Sequence, residues 1–223
     1  MNKWTYGDAG DRIPVRPGET WQVGSHRIGC ACIEDLAGNP YSERPDVIYT
    51  DPPWGPGNAT GFRTKAGESF KRKVDYWGGL YPALIRQCNT SKGAVFVEQG
   101  YNWIDKALGM FEEAGYRITH RWSVTYYRKH PSVLFRAVHR DNPDCKFESD
   151  LTGMDDEDTP RAVMQTYPAG TRFYDPCTGQ GLLPLTAAQT GMVFQGVELN
   201  PRRTAVALDK LRIELGEEPR RIS

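Results

Sequence analysis

Four consecutive residues combine groups that can hold a flat amine and stack on it. Asp51 and the Pro52 carbonyl are hydrogen-bond acceptors, Pro52 and Pro53 fix the backbone, and the Trp54 ring can lie on a planar base. They follow the β-branched segment 46–50, which predicts a strand that the prolines end. We therefore take all four as candidate catalytic residues. The alternative is a capped strand end with a core tryptophan.

A glycine-rich turn, residues 175–181, is the second candidate site. It lies between a predicted strand (171–174) and a predicted helix (182–190), where the absence of a Cβ at Gly179 and Gly181 lets a ligand approach the backbone. Glu198 follows the next predicted strand (192–197), near the ~20-residue spacing at which an acid reaches ribose hydroxyls in nucleotide-binding βαβ units. The pattern predicts an adenosine-type cofactor; the alternative is a tight turn with a surface glutamate.

Alternating strands and helices must position these two motifs. The other predicted elements are strands at 21–28 and 94–97, helices at 76–91, 103–114 and 202–215, and a hairpin of strands 117–128 and 132–140. This order predicts one α/β domain over residues 1–223, with a mainly parallel twisted sheet, a terminal antiparallel hairpin and helices on both faces. Since both motifs follow strands, we expect them to face each other at the carboxyl edge of the sheet.

Three segments fall outside this alternation. Residues 1–20 form an N-terminal extension. Residues 55–75 are polar and glycine-rich without an apolar period, which predicts a mobile loop that serves catalysis and substrate binding. Residues 141–159 are acidic, which predicts a solvated connection with little functional content.

Composition excludes several classes of protein. The 223 residues carry 28 basic and 28 acidic side chains and are 39% hydrophobic, which is typical of one globular domain and not of a disordered chain. No apolar run approaches ~18 residues and no signal peptide is visible, so we expect no membrane span. Five scattered cysteines favour a reducing, cytoplasmic location. His26, Cys30 and Cys32 lack zinc-site spacing, so no metal is expected.

At these residues the chain resembles the S-adenosylmethionine-dependent amino-methyltransferases of nucleic acids, in the motif order of the β-class DNA enzymes. Their signature [DNS]-P-P-[YFW] matches residues 51–54, and their cofactor motif D-P-F-x-G-x-G matches residues 175–181, except that Cys177 replaces the phenylalanine. The likeness extends from residue 21 to about residue 215. It departs at Cys30 and Ala31, where the family often has Gly-Asp. A Pro-Cys dipeptide, the nucleophile pair of cytosine-C5 enzymes, also results, and we interpret it as coincidence.

The resemblance implies a Rossmann-like domain that binds S-adenosyl-L-methionine. It implies the following cofactor-binding residues: Asp175, Pro176, Thr178, Gly179, Gly181, Glu198, Asn200 and Thr159. It also implies that the exocyclic nitrogen of a flipped base attacks the methyl group directly while Trp54 stacks on the base.

Aspartate at the first motif position resembles the adenine-N6 members, so the leading hypothesis is a DNA adenine-N6 methyltransferase. The motif also resembles messenger-RNA adenosine methyltransferases, and serine is commoner in cytosine-N4 enzymes. RNA adenine, DNA cytosine-N4, a small molecule or a protein glutamine as substrate, and a catalytically silent binding subunit, remain alternatives.

Zero net charge means that contacts with nucleic acid must be local. Basic residues concentrate in 55–75 and 117–140, where the alternative is a solvated face. The candidate nucleic-acid-binding residues are Arg63, Lys65, Lys71, Arg72, Lys73, Arg121, Arg128 and Lys129. The chain leaves little room for a separate recognition domain, which favours relaxed specificity, a partner specificity subunit or a homodimer.

Overall fold

A computed structural model of the chain describes residues 6–67 and 74–223, which fold around one mixed sheet. Its strands are β1 Thr20–Val23, β2 His26–Cys30, β3 Val47–Thr50, β4 Ala94–Gly100, β5 Tyr116–Tyr126, β6 His130–His139, β7 Arg172–Asp175, β8 Val193–Glu198 and β9 Arg220–Arg221. Its helices are α1 Tyr6–Arg12, α2 Pro56–Lys65, α3 Tyr81–Cys88, α4 Ile104–Glu113, α5 Asp158–Gln165, α6 Leu182–Thr190 and α7 Pro201–Leu215.

The strands lie in the order β5-β6-β4-β3-β7-β8-β2-β1-β9. The five central strands, from β4 to β2, are parallel, and antiparallel strands extend the sheet at both edges. The predicted fold class, a mainly parallel sheet with an antiparallel hairpin and helices on both faces, is confirmed. No helix in residues 6–67 and 74–223 is long and apolar enough to cross a membrane.

Helices cover both faces of the sheet because its central strands are buried on both sides. One core cluster contains side chains of α5, α6 and α7, and the other contains side chains of α3 and α4. Strands β3 and β4 are buried at every position. Such near-continuous burial is typical of parallel strands, and it explains why they read as unbroken apolar runs in the sequence.

Strands β3 and β7 form the point at which the chain reverses its direction across the sheet. From β3 the chain continues through α3 to β4 on one side, and from β7 it continues through α6 to β8 on the other. The connections therefore diverge on opposite faces and leave a crevice at the carboxyl ends of β3 and β7, where open α/β sheets bind ligands.

Four segments differ from the sequence expectations. Residues 21–28 belong to two strands, because Gly24, with a φ of 54°, allows a tight turn between β1 and β2. Residues 56–65 form helix α2 where a loop is predicted; only Ala59 of this helix is buried, so it shows no apolar period. Residues 76–91 divide into a π-helical turn, Tyr76–Leu80, and α3. The acidic connection 141–159 ends inside α5.

Candidate active site

A cavity of about 680 Å³ opens at the carboxyl edge, above β3 and β7. Residues from both sequence motifs line it. They are Asp51, Pro52, Pro53 and Trp54 from the first motif, and Asp175, Pro176, Cys177, Thr178, Gly179 and Gln180 from the second. The two motifs meet because β3 pairs with β7 in parallel, so both strands end at the same edge.

The local contacts hold Asp51 and Trp54 in fixed positions. Trp54 Nε1 donates a hydrogen bond to Asp51 Oδ1 at 2.7 Å, and its ring meets the Tyr126 ring edge-on with centroids 5.2 Å apart. A Cβ on Gly100 would lie 3.1 Å from the Trp54 ring, so any larger residue there would press on the ring. Asp51 Oδ2 makes no hydrogen bond within the described part of the chain, and it is therefore available to a ligand.

Carboxylates enclosed in the cavity resist ionisation. Burial raises the pKa of Asp51 to about 7, the Trp54 hydrogen bond opposes the shift, and the nearby Asp175 and Asp156 carboxylates add to it. Burial likewise raises the pKa of Asp175 to about 7, although its carboxylate accepts the Cys177 N–H at 2.8 Å. Around Asp51 and Asp175, the cavity therefore disfavours further negative charge and favours a cation.

Glu198 is tied to the glycine-rich turn by backbone donors. Its Oε2 accepts the Gly179 N–H and its Oε1 accepts the Asn200 N–H, both at 2.8 Å. Each oxygen retains capacity for one further hydrogen bond. The Gly179 N–H is thus already satisfied by the protein itself.

Three of the predicted cofactor-binding residues do not line the cavity. Gly181 has a φ of 83°, and a Cβ there would lie 2.6 Å from the Ala207 Cα, so this glycine allows α6 to pack on α7. Thr159 is fully buried and its hydroxyl donates to the Asp155 carbonyl at 2.6 Å. The Asn200 side chain accepts the Arg202 N–H and caps α7. In this structure these three residues stabilise the elements around the cavity and do not face it.

The predicted nucleic-acid-binding residues are dispersed. Arg63 lines the cavity and forms an ion pair with Glu34, whereas Lys65 is exposed at the end of α2. Arg121 and Lys129 are exposed on the β5–β6 hairpin. At its tip, Arg128 Nε donates to Asp155 Oδ2 at 2.8 Å. Predicted contacts by Lys71, Arg72 and Lys73 lie outside the described residues.

Sequence reasoning missed several residues of the cavity wall. Asp156 and Glu157 line it, so the acidic connection contributes functional groups that its composition alone did not indicate. Tyr49 and Glu98 line it from within β3 and β4. The sequence does contain a signal for Glu98, because an acidic residue within a buried apolar strand is uncommon.

The structure also bears on Cys177. Burial, together with the Asp175 and Glu198 carboxylates, raises the pKa of its thiol well above the ordinary value. A nucleophilic cysteine requires the thiolate, so this environment agrees with the interpretation that the Pro-Cys dipeptide is coincidental.

No protein-family model and no curated protein matches the chain. Solved structures do match it. TTHA0409 of Thermus thermophilus, a candidate DNA modification methylase, has a TM-score of 0.62 at 12% identity, covering 85% of this chain and 96% of that one. The PvuII cytosine-N4-specific DNA methyltransferase has a TM-score of 0.56 at 12% identity, covering 88% and 95%.

A third similar structure is that of M1.HpyAVI, with a TM-score of 0.55 at 17% identity and coverage of 75% of this chain and 88% of that one. At such low identity the likeness defines the fold. The chain therefore has the fold of DNA methyltransferases.

Proposed function

We propose that the protein transfers a methyl group from S-adenosyl-L-methionine to the exocyclic N6 amine of adenine in DNA. The observation that carries this proposal is the shared cavity in which Asp51 and the glycine-rich turn face each other. M1.HpyAVI and TTHA0409, which have the same fold, are both known in complex with S-adenosyl-L-methionine.

The charge of the cavity supports this cofactor over a phosphate-bearing nucleotide. The pKa values of Asp51 and Asp175 are both raised to about 7, so a cation there lowers the cost of their ionisation. A phosphate would meet the Glu198 carboxylate beside the turn, where Glu198 already occupies the Gly179 N–H. S-adenosyl-L-methionine is a sulfonium cation without phosphate, and it supplies an electrophilic methyl group. Pro176, Thr178, Gly179 and Glu198 are the residues we assign to its adenosine.

Asp51 is the residue we assign to the substrate amine. Trp54 fixes its Oδ1, which leaves Oδ2 to accept an N–H of the amine, and the Pro52 carbonyl is the second acceptor. Holding both N–H bonds favours the nucleophilic geometry of a nitrogen whose lone pair is otherwise delocalised into the base. A carboxylate with a pKa of about 7 is also suited to receive the proton that the amine loses on methylation.

The proposal also specifies the target base and how that base reaches the cavity. A base must leave the duplex to enter a cavity of this kind, so the proposal includes base flipping. Aspartate at the first motif position favours adenine over cytosine. Cytosine-N4 in DNA is the second candidate, because the PvuII enzyme shares the fold.

The test is methyl transfer from radiolabelled S-adenosyl-L-methionine to duplex DNA, single-stranded DNA and RNA, followed by mass spectrometry of the nucleosides. We expect N6-methyladenine in DNA. Asp51→Ala is expected to abolish transfer while cofactor binding by calorimetry persists. Glu113→Ala, which removes an exposed carboxylate at the distal end of α4, is the matched control and should leave transfer unchanged. An active Asp51→Ala protein would contradict the assigned role, and methylated RNA or cytosine would replace the proposed substrate.

A further inference from the structure

Glu98 lies beside the proposed catalytic aspartate. Strands β3 and β4 are parallel, and Thr50 pairs with Val97, so the next residues, Asp51 and Glu98, are neighbours at the carboxyl edge. Both side chains line the cavity, and Glu98 is only 3% exposed. A second acid next to Asp51 is costly unless it is neutral or finds a partner.

The hydrogen bond of Glu98 indicates which oxygen carries the proton when the group is protonated. Ser132 Oγ donates to Glu98 Oε1 at 2.7 Å, and no ion pair to Glu98 occurs within residues 9–67 and 74–223. Burial and the negative charge of Asp51 raise the pKa of Glu98 well above its ordinary value, although the Ser132 hydrogen bond opposes this shift. Because Oε1 is an acceptor, the proton belongs on Oε2, which has no hydrogen-bond partner in the described part of the molecule.

Tyr49 provides an independent sign of a ligand at the same place. It is 3% exposed and lines the cavity, yet its hydroxyl has no hydrogen-bond partner among the described residues. Buried hydroxyls are nearly always paired, so this one indicates a partner that arrives with the ligand. Tyr49 lies on β3 and Asp51 follows the strand two residues later, so their side chains project toward the same face of the sheet.

We propose that Glu98, as a neutral carboxylic acid, recognises the flipped base by donating Oε2–H to the ring nitrogen next to its amino-bearing carbon. Asp51 Oδ2 then accepts from the amine, and the Tyr49 hydroxyl gains a partner from the base. On the Watson–Crick edge, adenine N1 and cytosine N3 are acceptors next to the amino-bearing carbon, whereas the equivalent ring nitrogens, N1 of guanine and N3 of thymine and uracil, carry a hydrogen. Glu98 is thus a residue that determines base specificity. This inference rests on the proposed methyl transfer.

The first test compares Glu98→Gln with Glu98→Ala. The amide of glutamine keeps one donor and one acceptor, so Glu98→Gln should retain kcat/KM within about threefold, whereas Glu98→Ala should lose about 10- to 100-fold. Equal losses in the two variants would overturn the inference.

The pH profile separates this role from a structural one. The titratable and charged groups that line the cavity with Glu98 are Cys32 and Glu34 after β2, Tyr49 of β3 and Asp51 after it, Arg63 of α2, Tyr126 of β5, Tyr127 and His130 at the hairpin tip, Asp156 and Glu157 before α5, Asp175 of β7 and Cys177 after it, Glu198 of β8, and Arg203 and Lys210 of α7. Wild-type kcat/KM should fall at high pH as Glu98 ionises, because the carboxylate cannot donate. Glu98→Gln should lose this alkaline limb and keep the acid limb of Asp51. An alkaline limb that persists unchanged in Glu98→Gln would contradict the assignment.

A substrate analogue tests the contact without altering the fold. Placing 1-deazaadenine in the DNA removes the ring acceptor, so the wild-type protein should lose about tenfold more activity on it than Glu98→Ala loses.

Tyr49→Phe should raise KM for DNA about fivefold or more while thermal stability is retained, since its hydroxyl is unpaired in the described part of the free protein. Equal losses on the analogue would overturn the inference while methyl transfer stands. A wild-type protein that methylates no nucleic acid would overturn both proposals.

Discussion

Replacing Asp175 with asparagine should make the protein more stable at alkaline pH. Asp175 ends β7 with 1% of its surface exposed, and burial raises the pKa of its carboxyl to about 7. Asparagine keeps the oxygen that accepts the Cys177 N–H but never ionises. The substitution therefore removes a buried charge and retains the turn.

The sign and size of the effect follow from proton linkage. In the unfolded chain this carboxyl has its ordinary pKa of 3.8, whereas in the folded protein its pKa is about 7. The folded state thus binds more protons across this window, and its stability falls as the pH rises from about 4 to about 7. Between pH 5 and pH 8 the wild-type protein should lose about 2.5 kcal/mol through this group, at about 1.4 kcal/mol per pH unit of difference in proton binding. Asp175→Asn does not share this loss.

The assay is chemical unfolding of wild-type protein and Asp175→Asn at pH 5, 6, 7 and 8. The free energy of unfolding of the variant minus that of the wild type should increase by about 2.5 kcal/mol from pH 5 to pH 8. Most of this increase should occur below pH 7. Asp105→Asn, at an exposed aspartate of α4, should give a constant difference. A difference between Asp175→Asn and wild type that stays constant or reverses with pH would refute the claim that Asp175 is a strained buried carboxyl.

Two further predictions concern the cofactor and the helix packing. Binding of S-adenosyl-L-methionine at pH 6.5 should release protons, because a sulfonium cation lowers the raised pKa values of Asp51 and Asp175. Binding of S-adenosylhomocysteine, which has a neutral sulfur, should release fewer protons. Calorimetry in buffers of different ionisation enthalpy measures the number released in each case. Equal proton release by the two would contradict the charge argument. Gly181→Val should lower the free energy of unfolding by about 2 kcal/mol or more, because its Cβ would meet the Ala207 backbone at 2.6 Å, while Gly57→Ala, with open space around it, should not.

The sequence predicted the two motifs, residues 51–54 and 175–181, because they depend on local chemistry. It also predicted that they face each other, because this depends on the parallel order of the strands. Helix α6 begins at Leu182 and ends at Thr190 as the pattern predicts, and Gly191 follows in a left-handed conformation. Helix α2 was missed because it buries only Ala59, so no apolar period marks it. Tertiary packing, and not periodicity, decides such a helix.

The meeting of several acidic residues in one cavity could not be predicted from the sequence, for a different reason. Asp156 is separated from Asp51 by more than a hundred residues, and only the folded chain brings them to one cavity. Spacing rules apply within a single βαβ unit and cannot relate β3 to the segment before α5. Likewise, Gly181 matches a ligand-binding pattern, but its contact with Ala207 is a property of helix packing.

The position of Asp51 and Asp175 links stability to the proposed chemistry. Asp51 follows β3, Asp175 ends β7, and these strands are direct neighbours. The arrangement that puts an amine acceptor beside the cofactor turn therefore also puts two carboxylates in one buried space. Each raises the electrostatic cost of ionising the carboxylates around it, and the free protein carries this strain without a compensating cation. In the proposed reaction, a cationic methyl donor would relieve this strain while it is bound. Conversion of the sulfonium to a neutral thioether would restore the strain and so favour release of the product.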